Sequence, residues 1–130
     1  MAVNDALGLS RARFVLFVNN DVEFDYRFID KMFDAFQSIT TIGIVGGWRH
    51  TGHGFGQVEN ELFREMDNVP AVCWLIPKYV LETTGMFKEN GPCDTKGGNG
   101  EDTDYVMRAK TKGYLVGVTR EDVAHHITGY

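Results

Sequence analysis

The sequence predicts an α/β protein in which a mostly parallel sheet has helices packed on its faces. Residues 13–18, 42–48 and 71–76 are nearly continuous apolar runs, which is typical of strands covered on both faces, as in parallel sheets. Between these runs lie segments whose apolar residues recur at helical spacing. The alternation of the two patterns along the chain predicts the class.

The first half of the chain contains two predicted strands and one predicted helix. Residues 1–12 are typical of the last turns of a helix, and the strand at 13–18 follows them. A helix is predicted after Asp25, because the next apolar residues recur every three or four positions. These residues are Phe28, Ile29, Met32, Phe33 and Phe36. The strand at 42–48 comes next, and the Gly- and His-rich segment 49–56 is predicted to be a loop.

The middle of the chain is less clearly patterned. Residues 57–66 fit either a short helix or an edge strand, and the sequence leaves both open. The strand at 71–76 leads into a helix at 77–84, because Pro77 is favoured at a first helical position and Gly85 follows the last one.

The last third contains a loop, a helix and two short strands. Segment 90–100 has four glycines and a proline, which predicts a mobile loop. The helix at 101–112 begins with acidic residues and contains basic residues later, in agreement with the helix dipole. Gly113 ends it, and short strands are predicted at 114–118 and 123–127.

Length and composition indicate a single folded domain, residues 1–130. A chain of 130 residues with 43% hydrophobic and 24% charged residues can form one buried core, which excludes a disordered tail and a coiled coil. The formal charge of −5 is unsuited to nucleic acid. If the protein binds phosphate groups, a metal cation is expected to supply the positive charge.

Membrane and cysteine patterns indicate a cytoplasmic protein. No apolar run approaches the roughly 20 residues needed to cross a bilayer, and residues 1–10 do not resemble a secretory signal. Cys73 and Cys93 lack the spacing of a zinc site or a disulfide scaffold. A reducing, cytoplasmic setting is therefore expected.

Three polar groups stand at the ends of predicted elements. Asp21 follows the strand at 13–18, and ligands bind at the carboxyl ends of strands in open α/β sheets. Glu101 and Asp102 begin a helix after a glycine-rich loop, and His125 and His126 lie near the end of the last strand. A carboxylate with one imidazole suits a divalent ion bound mainly by phosphate. A carboxylate at a helix start can act as a general base.

Four segments in this order resemble the family-2 inverting glycosyltransferases of GT-A fold, in particular rhamnosyltransferase-like members. The segments are Phe-Val-Leu-Phe-Val-Asn-Asn-Asp-Val at 14–22, Gly85-Met86-Phe87, Glu101-Asp102-Thr103-Asp104 with Arg108 and Gly113-Tyr114 behind it, and Val123-Ala124-His125-His126. The resemblance implies a Rossmann-like, GT-A-type sheet. It also implies metal-dependent, inverting transfer of a sugar from a nucleotide-diphosphate sugar to a hydroxyl acceptor.

The resemblance assigns roles to individual residues. Asp21 would coordinate Mn²⁺ or Mg²⁺ on the nucleotide diphosphate, with Asn19 and Asn20 beside it in the cofactor-binding segment. Asp102 would be the general base, and His125 would assist the metal or the diphosphate. Only one carboxylate stands where the family often has Asp-x-Asp. The Gln-x-x-Arg-Trp motif of processive members is absent from the sequence, which favours transfer of a single sugar.

The acceptor side is assigned to Trp74 and Glu101, and here structural roles are the alternative. Trp74 lies in an apolar run and fits a core residue as well as an acceptor wall. Glu101 fits a helix-capping residue, as Asp102 also does, and Asp21 fits a turn residue. The same alternative applies to His50 and His53, which fit a solvated loop better than a metal site.

The resemblance covers the family domain only from the metal-binding strand onward, so the nucleotide-binding half would be truncated. A sheet without its first strands would expose an apolar edge. We therefore expect a homo-oligomer, in which a second copy covers that edge, or a rearranged segment in its place. The alternative function is an inactive glycosyltransferase remnant that serves as a binding or oligomerisation module. A metal-dependent phosphohydrolase is a third reading, but it would require more carboxylates.

Overall fold

The computed structural model describes residues 13–18, 21–48, 54–70, 72–85 and 100–126, and of residues 100–102 and 126 it describes the backbone alone. The helices are α1 (Phe28–Gln37), α2 (Lys78–Thr84) and α3 (Gly100–Thr111). The strands are β1 (Phe14–Val18), β2 (Val22–Phe24), β3 (Ile42–Gly46), β4 (Phe55–Glu59), β5 (Phe63–Met66), β6 (Cys73–Pro77), β7 (Leu115–Thr119) and β8 (Ala124–His126).

The main sheet is mixed and mostly antiparallel, so the prediction of a mostly parallel, Rossmann-like sheet is wrong. Its strand order is β1-β6-β3-β7-β5-β4. Within the described residues, β3–β7 is the single parallel pair of this sheet. Strand β6 lies between β1 and β3 and runs antiparallel to both.

The prediction was wrong because a continuous apolar run shows that a strand is buried but does not determine its direction. All five residues of β3 and of β6 are buried, because helices cover both faces of the sheet. Burial on both faces is common in parallel sheets, but it depends on the covering helices and not on strand direction. The apolar runs therefore predict these strands correctly and leave their direction open.

Two hydrophobic clusters lie on opposite faces of the main sheet. Alternate residues of β6 divide between them, with Trp74 in the first cluster and Leu75 in the second. The first cluster includes residues of α2 and α3, such as Val80 and Tyr105. The second includes residues of α1, such as Met32. The main sheet is therefore the middle layer of three.

Most of the predicted elements are confirmed within one to three residues at their ends. Gly85 and Gly113, at φ 101° and 95°, follow α2 and α3 as predicted. The ambiguous segment 57–66 belongs to the β4–β5 hairpin, with β4 at an edge of the sheet. The predictions for residues 1–12, most of 90–100, and His50 and His53 lie outside the described residues.

Candidate functional site

Three strands of the main sheet end at the same edge. Val18 at the end of β1 pairs with Cys73, and Gly46 at the end of β3 pairs with both Trp74 and Val118. Because β1, β3 and β7 share this direction, the chain leaves all three strands on one side. We call this side of the sheet the carboxyl edge.

A two-stranded antiparallel ribbon, formed by β2 and β8, lies at the carboxyl edge. The carbonyl oxygen of Gly47, directly after β3, accepts hydrogen bonds from the backbone N–H groups of Val123 and Ala124 at 2.9 and 3.0 Å. The N–H of Gly47 in turn donates to the carbonyl of Cys73 at 3.0 Å. Backbone hydrogen bonds therefore attach the ribbon to the end of β3.

The ribbon has an apolar inner face and a polar outer face. Val22, Phe24 and Ala124 belong to or pack against the second hydrophobic cluster, and the Phe24 ring stacks on Phe28 with 3.9 Å between centroids. Glu23 and His125 are directly paired across the ribbon. Because side chains alternate along a strand, these two residues are on the outer face, and both are exposed.

His125 is hydrogen-bonded on this outer face. Its Nε2 lies 2.9 Å from Oδ1 of Asp25, and the two side chains are 51% and 46% exposed. Asp25 directly follows β2, and its N–H donates to the carbonyl of Val123 at 2.8 Å. The ribbon therefore brings together two residues that are 100 positions apart in the sequence.

The sequence analysis did not single out Asp25. The signal was present as a period of two, since the acidic residues Asp21, Glu23 and Asp25 alternate with the apolar residues Val22 and Phe24. This alternation is typical of a strand with one buried face. It predicts an acidic face, but not which residue lies on the neighbouring strand.

Asp21 is half-buried and directly precedes β2. Its position in the chain therefore sets it beside the ribbon at the carboxyl edge, at the end of β2 that pairs with His126. Asn19 and Asn20 lie outside the described residues.

Glu101 and Asp102 are in the first turn of α3, as predicted. Helix α3 reaches β7 through a short turn at residues 112–114, in which the Tyr114 N–H donates to the carbonyl of Ala109. The helix therefore runs opposite to β7 and its first turn points toward the carboxyl edge. The side chains of Glu101 and Asp102 lie outside the described residues, and the general-base role of Asp102 stays a prediction.

Trp74 is fully buried in the first hydrophobic cluster. Its indole N–H donates to the carbonyl of Val69 at 3.2 Å, and its ring lies near that of Tyr105, with 6.4 Å between centroids. This environment fits the core alternative. The indole offers no exposed surface to an acceptor in this conformation.

A metal site at the carboxyl edge would have few protein ligands. Among the described side chains, no group of three or more His, Cys, Asp or Glu residues is arranged to hold a metal ion. A protein cage for a cation is therefore not present in that part of the chain. A Mn²⁺ or Mg²⁺ ion bound mainly through diphosphate oxygens and water needs only one or two protein carboxylates, so the metal roles of Asp21 and His125 stay predictions.

A groove of about 700 Å³ lies between α1, the tip of the β4–β5 hairpin and the segment after β7. Its lining includes Lys31, Asn60, Arg120 and Val123. The hairpin tip is fixed, because Asn60 donates to Ser38 Oγ at 3.0 Å and Arg120 donates to the carbonyl of Asn60 at 3.2 Å. Nothing in the sequence pattern predicted this groove, since its walls come from three separate segments.

The chain matches no protein-family model and no curated protein. Within the part of the chain that is described, no helix is long and apolar enough to cross a membrane. The resemblance to glycosyltransferases therefore stays a hypothesis from the sequence motifs.

Proposed function

We propose that this protein acts as a metal-dependent, inverting glycosyltransferase that moves a sugar from a nucleotide-diphosphate donor to a hydroxyl acceptor. The observation that supports this proposal is the β2–β8 ribbon. The ribbon pairs β2, which directly follows Asp21, with β8, which includes His125. It lies at the sheet edge toward which the first turn of α3 points. Asp21 and His125 thus lie beside or in one ribbon, and the first turn of α3, which includes Asp102, points toward the same edge.

Each residue has a role that follows from its chemistry. Asp21 and His125 would hold the cation, which on binding neutralises the charge that develops on the departing diphosphate. Asp102 would accept the proton of the acceptor hydroxyl as that oxygen attacks the sugar carbon. Its position in the first turn of a helix favours the ionised carboxylate that a base requires.

The proposal is tested by thermal unfolding with Mn²⁺ alone, UDP or dTDP alone, and Mn²⁺ with each nucleotide. A ligand that binds the folded protein raises its stability by RT ln(1 + [L]/Kd), about 2.7 kcal/mol at a hundredfold excess over Kd. We expect the combination to raise the melting temperature by more than the sum of the separate additions. Asp21→Ala should abolish this extra increase.

Glu23→Ala is the matched control, because it removes an exposed carboxylate two residues from Asp21. It should keep the increase. Equal melting temperatures with and without Mn²⁺ and nucleotide at millimolar concentration would reject the proposal. Asp102→Asn should keep the binding response but lose transfer, measured as release of nucleoside diphosphate in the presence of an acceptor.

A second candidate function is a catalytically inactive binding module. The groove beside α1 supports it, because this groove has a volume of about 700 Å³ and is lined by side chains of both charges. These are Lys31 and Arg120, and Asp34 and Glu121. A nucleotide-dependent rise in melting temperature that is lost in Arg120→Ala but kept in Asp21→Ala would favour this module over the enzyme.

A further inference from the structure

We infer that Asp25 is the positioning residue for His125, and that it leaves Nδ1 of the imidazole as the nitrogen available to a ligand. The inference rests on the proposed function, because it assigns the histidine of that same site its orientation. It adds a residue that the glycosyltransferase motifs did not include.

The backbone around Asp25 is fixed at both of its polar groups. Its N–H donates to the carbonyl of Val123 at 2.8 Å, and its carbonyl accepts from the N–H of Phe28 at 3.1 Å, at the start of α1. Val123 is two residues before His125, so the same segment holds both partners. Asp25 is therefore placed to act on His125 before any ligand binds.

The hydrogen bond determines which ring nitrogen has the proton. An ionised carboxylate can only accept hydrogen bonds, so Nε2 must donate to Oδ1 of Asp25 across the 2.9 Å distance. In the neutral ring, Nδ1 then has the lone pair. Metal-binding histidines usually have this arrangement, with one nitrogen on the metal and the other donating to a carboxylate or carbonyl group.

The hydrogen bond of His125 is made with Asp25 and not with Glu23, its direct neighbour across the ribbon. Glu23 is directly opposite His125 in the ribbon register, whereas Asp25 is displaced by two residues and still makes the bond. Cross-strand neighbours displaced by two residues are within reach of long side chains, and imidazole is long enough. Glu23→Ala is thus a matched control that removes an equal charge from the same face.

The first experiment records the ¹⁵N signals of the His125 ring in the full chain without ligand, at a pH where the ring is neutral. We expect the Nε2-protonated form alone in the native protein and in Glu23→Ala, and a mixture of tautomers in Asp25→Ala. Unchanged ring signals in Asp25→Ala would overturn the inference. The side chains concerned are half exposed, so these variants are expected to fold.

The second experiment measures Mn²⁺ affinity in the presence of UDP. Loss of a carboxylate that orients a ligating histidine typically weakens metal affinity 10- to 100-fold, so Asp25→Ala should weaken Mn²⁺ binding by at least about tenfold. Because Asp25 acts through His125, the Asp25→Ala/His125→Ala double variant should bind no more weakly than His125→Ala alone. Additive losses would overturn the inference.

The two experiments separate the two proposals. If the native protein does not bind Mn²⁺ with UDP at all, the proposed function fails, and the ring signals alone decide whether Asp25 orients His125. If Mn²⁺ binds and His125→Ala binds it equally well, His125 is not a ligand, and the inference fails with that role.

Discussion

The central strands and the β2–β8 ribbon are held in place in different ways. Strands β3 and β6 are buried on both faces between helices, so their stability comes from apolar packing on two sides. The ribbon consists of two three-residue strands. It is held to the main sheet by one apolar face and by backbone hydrogen bonds from Val123 and Ala124 to Gly47.

The central strands therefore stabilise the fold, whereas the ribbon is the region that can bind a ligand. An isolated two-stranded ribbon is marginally stable in water, so this one depends on docking to the sheet. Its outer face is free of packing requirements, and there Glu23, Asp25 and His125 can be polar. The candidate chemistry is therefore in the less stable region, as is common for binding elements.

The largest expected effect is that of Trp74→Ala in the central strands. Removing a fully buried Trp side chain should lower the free energy of unfolding by about 3–5 kcal/mol, measured by urea denaturation. Tyr26→Ala removes an aromatic ring that is 89% exposed, and it should change stability by less than about 0.5 kcal/mol.

This comparison also decides the role of Trp74. A stability loss below about 1 kcal/mol would contradict the core assignment and revive the acceptor wall that the sequence motifs suggested. A large loss would leave Trp74 in the core.

A smaller effect is expected for Gly117→Ala in β7. A Cβ atom at this position would overlap the carbonyl oxygen of Arg64 in β5 and lie 2.6 Å from the Phe63 ring. Backbone cannot move as a side chain does, so we expect a loss of about 2–3 kcal/mol in unfolding free energy. Gly113→Ala is the control, because nothing lies within 4 Å of its Cβ position.

Gly113 has φ 95°, so this control should cost about 1 kcal/mol through backbone strain alone. If both variants lost the same amount, close packing of β5 against β7 would not be the reason for glycine at position 117.

The fold was predictable where local pattern determines the structure. The helical spacing from Phe28 to Phe36 predicts α1, and the apolar run at 13–18 predicts β1. The strand order was not predictable, because insertion of β6 between β1 and β3 depends on pairing between distant segments. An apolar run records burial and contains no information about the direction of its neighbour.

The candidate site was predictable to the same extent. The positions of Asp21 and His125 near strand ends follow from the sequence pattern, whereas their roles stay predictions. The Asp25–His125 hydrogen bond requires the ribbon register, which forms between segments about 100 residues apart. Trp74 is fully buried in a strand of the middle layer, which fits the core alternative, and its acceptor role stays a prediction.

The ribbon itself is tested by Phe24→Ala. Phe24 is partly buried and stacks on Phe28, so about 1–2 kcal/mol of docking free energy should be lost, less than for a fully buried Phe. Hydrogen exchange should accelerate at the Ala124 and His125 amides more than at those of β3 and β6. Equal acceleration in both regions would mean that the ribbon and the central strands unfold together, and that the contrast between them is wrong.

The smallest effect concerns the contact between the two regions, and it appears as a dependence on pH. Burial raises the pKa of the Cys73 thiol from 9.0 to about 12, although a backbone hydrogen bond with Gly47 acts in the opposite direction. The neutral thiol is thus favoured in the folded state. Its contribution to stability is complete below pH 9 and is lost as the pH rises from 9 toward 12, because the unfolded chain ionises first.

One pH unit corresponds to about 1.4 kcal/mol, so at pH 10, one unit above the pKa of the unfolded thiol, the native protein should have lost about 1.4 kcal/mol on account of Cys73. In Cys73→Ala this part of the pH dependence should disappear, while the part due to Tyr105, whose pKa burial also raises to about 12, remains. Urea denaturation of both proteins at pH 7 and pH 10 measures the difference. Cys73 lies directly beneath Gly47. If the free energy of unfolding fell equally between pH 7 and pH 10 in the native protein and in Cys73→Ala, solvent would reach the thiol, and the ribbon would not seal this end of the core.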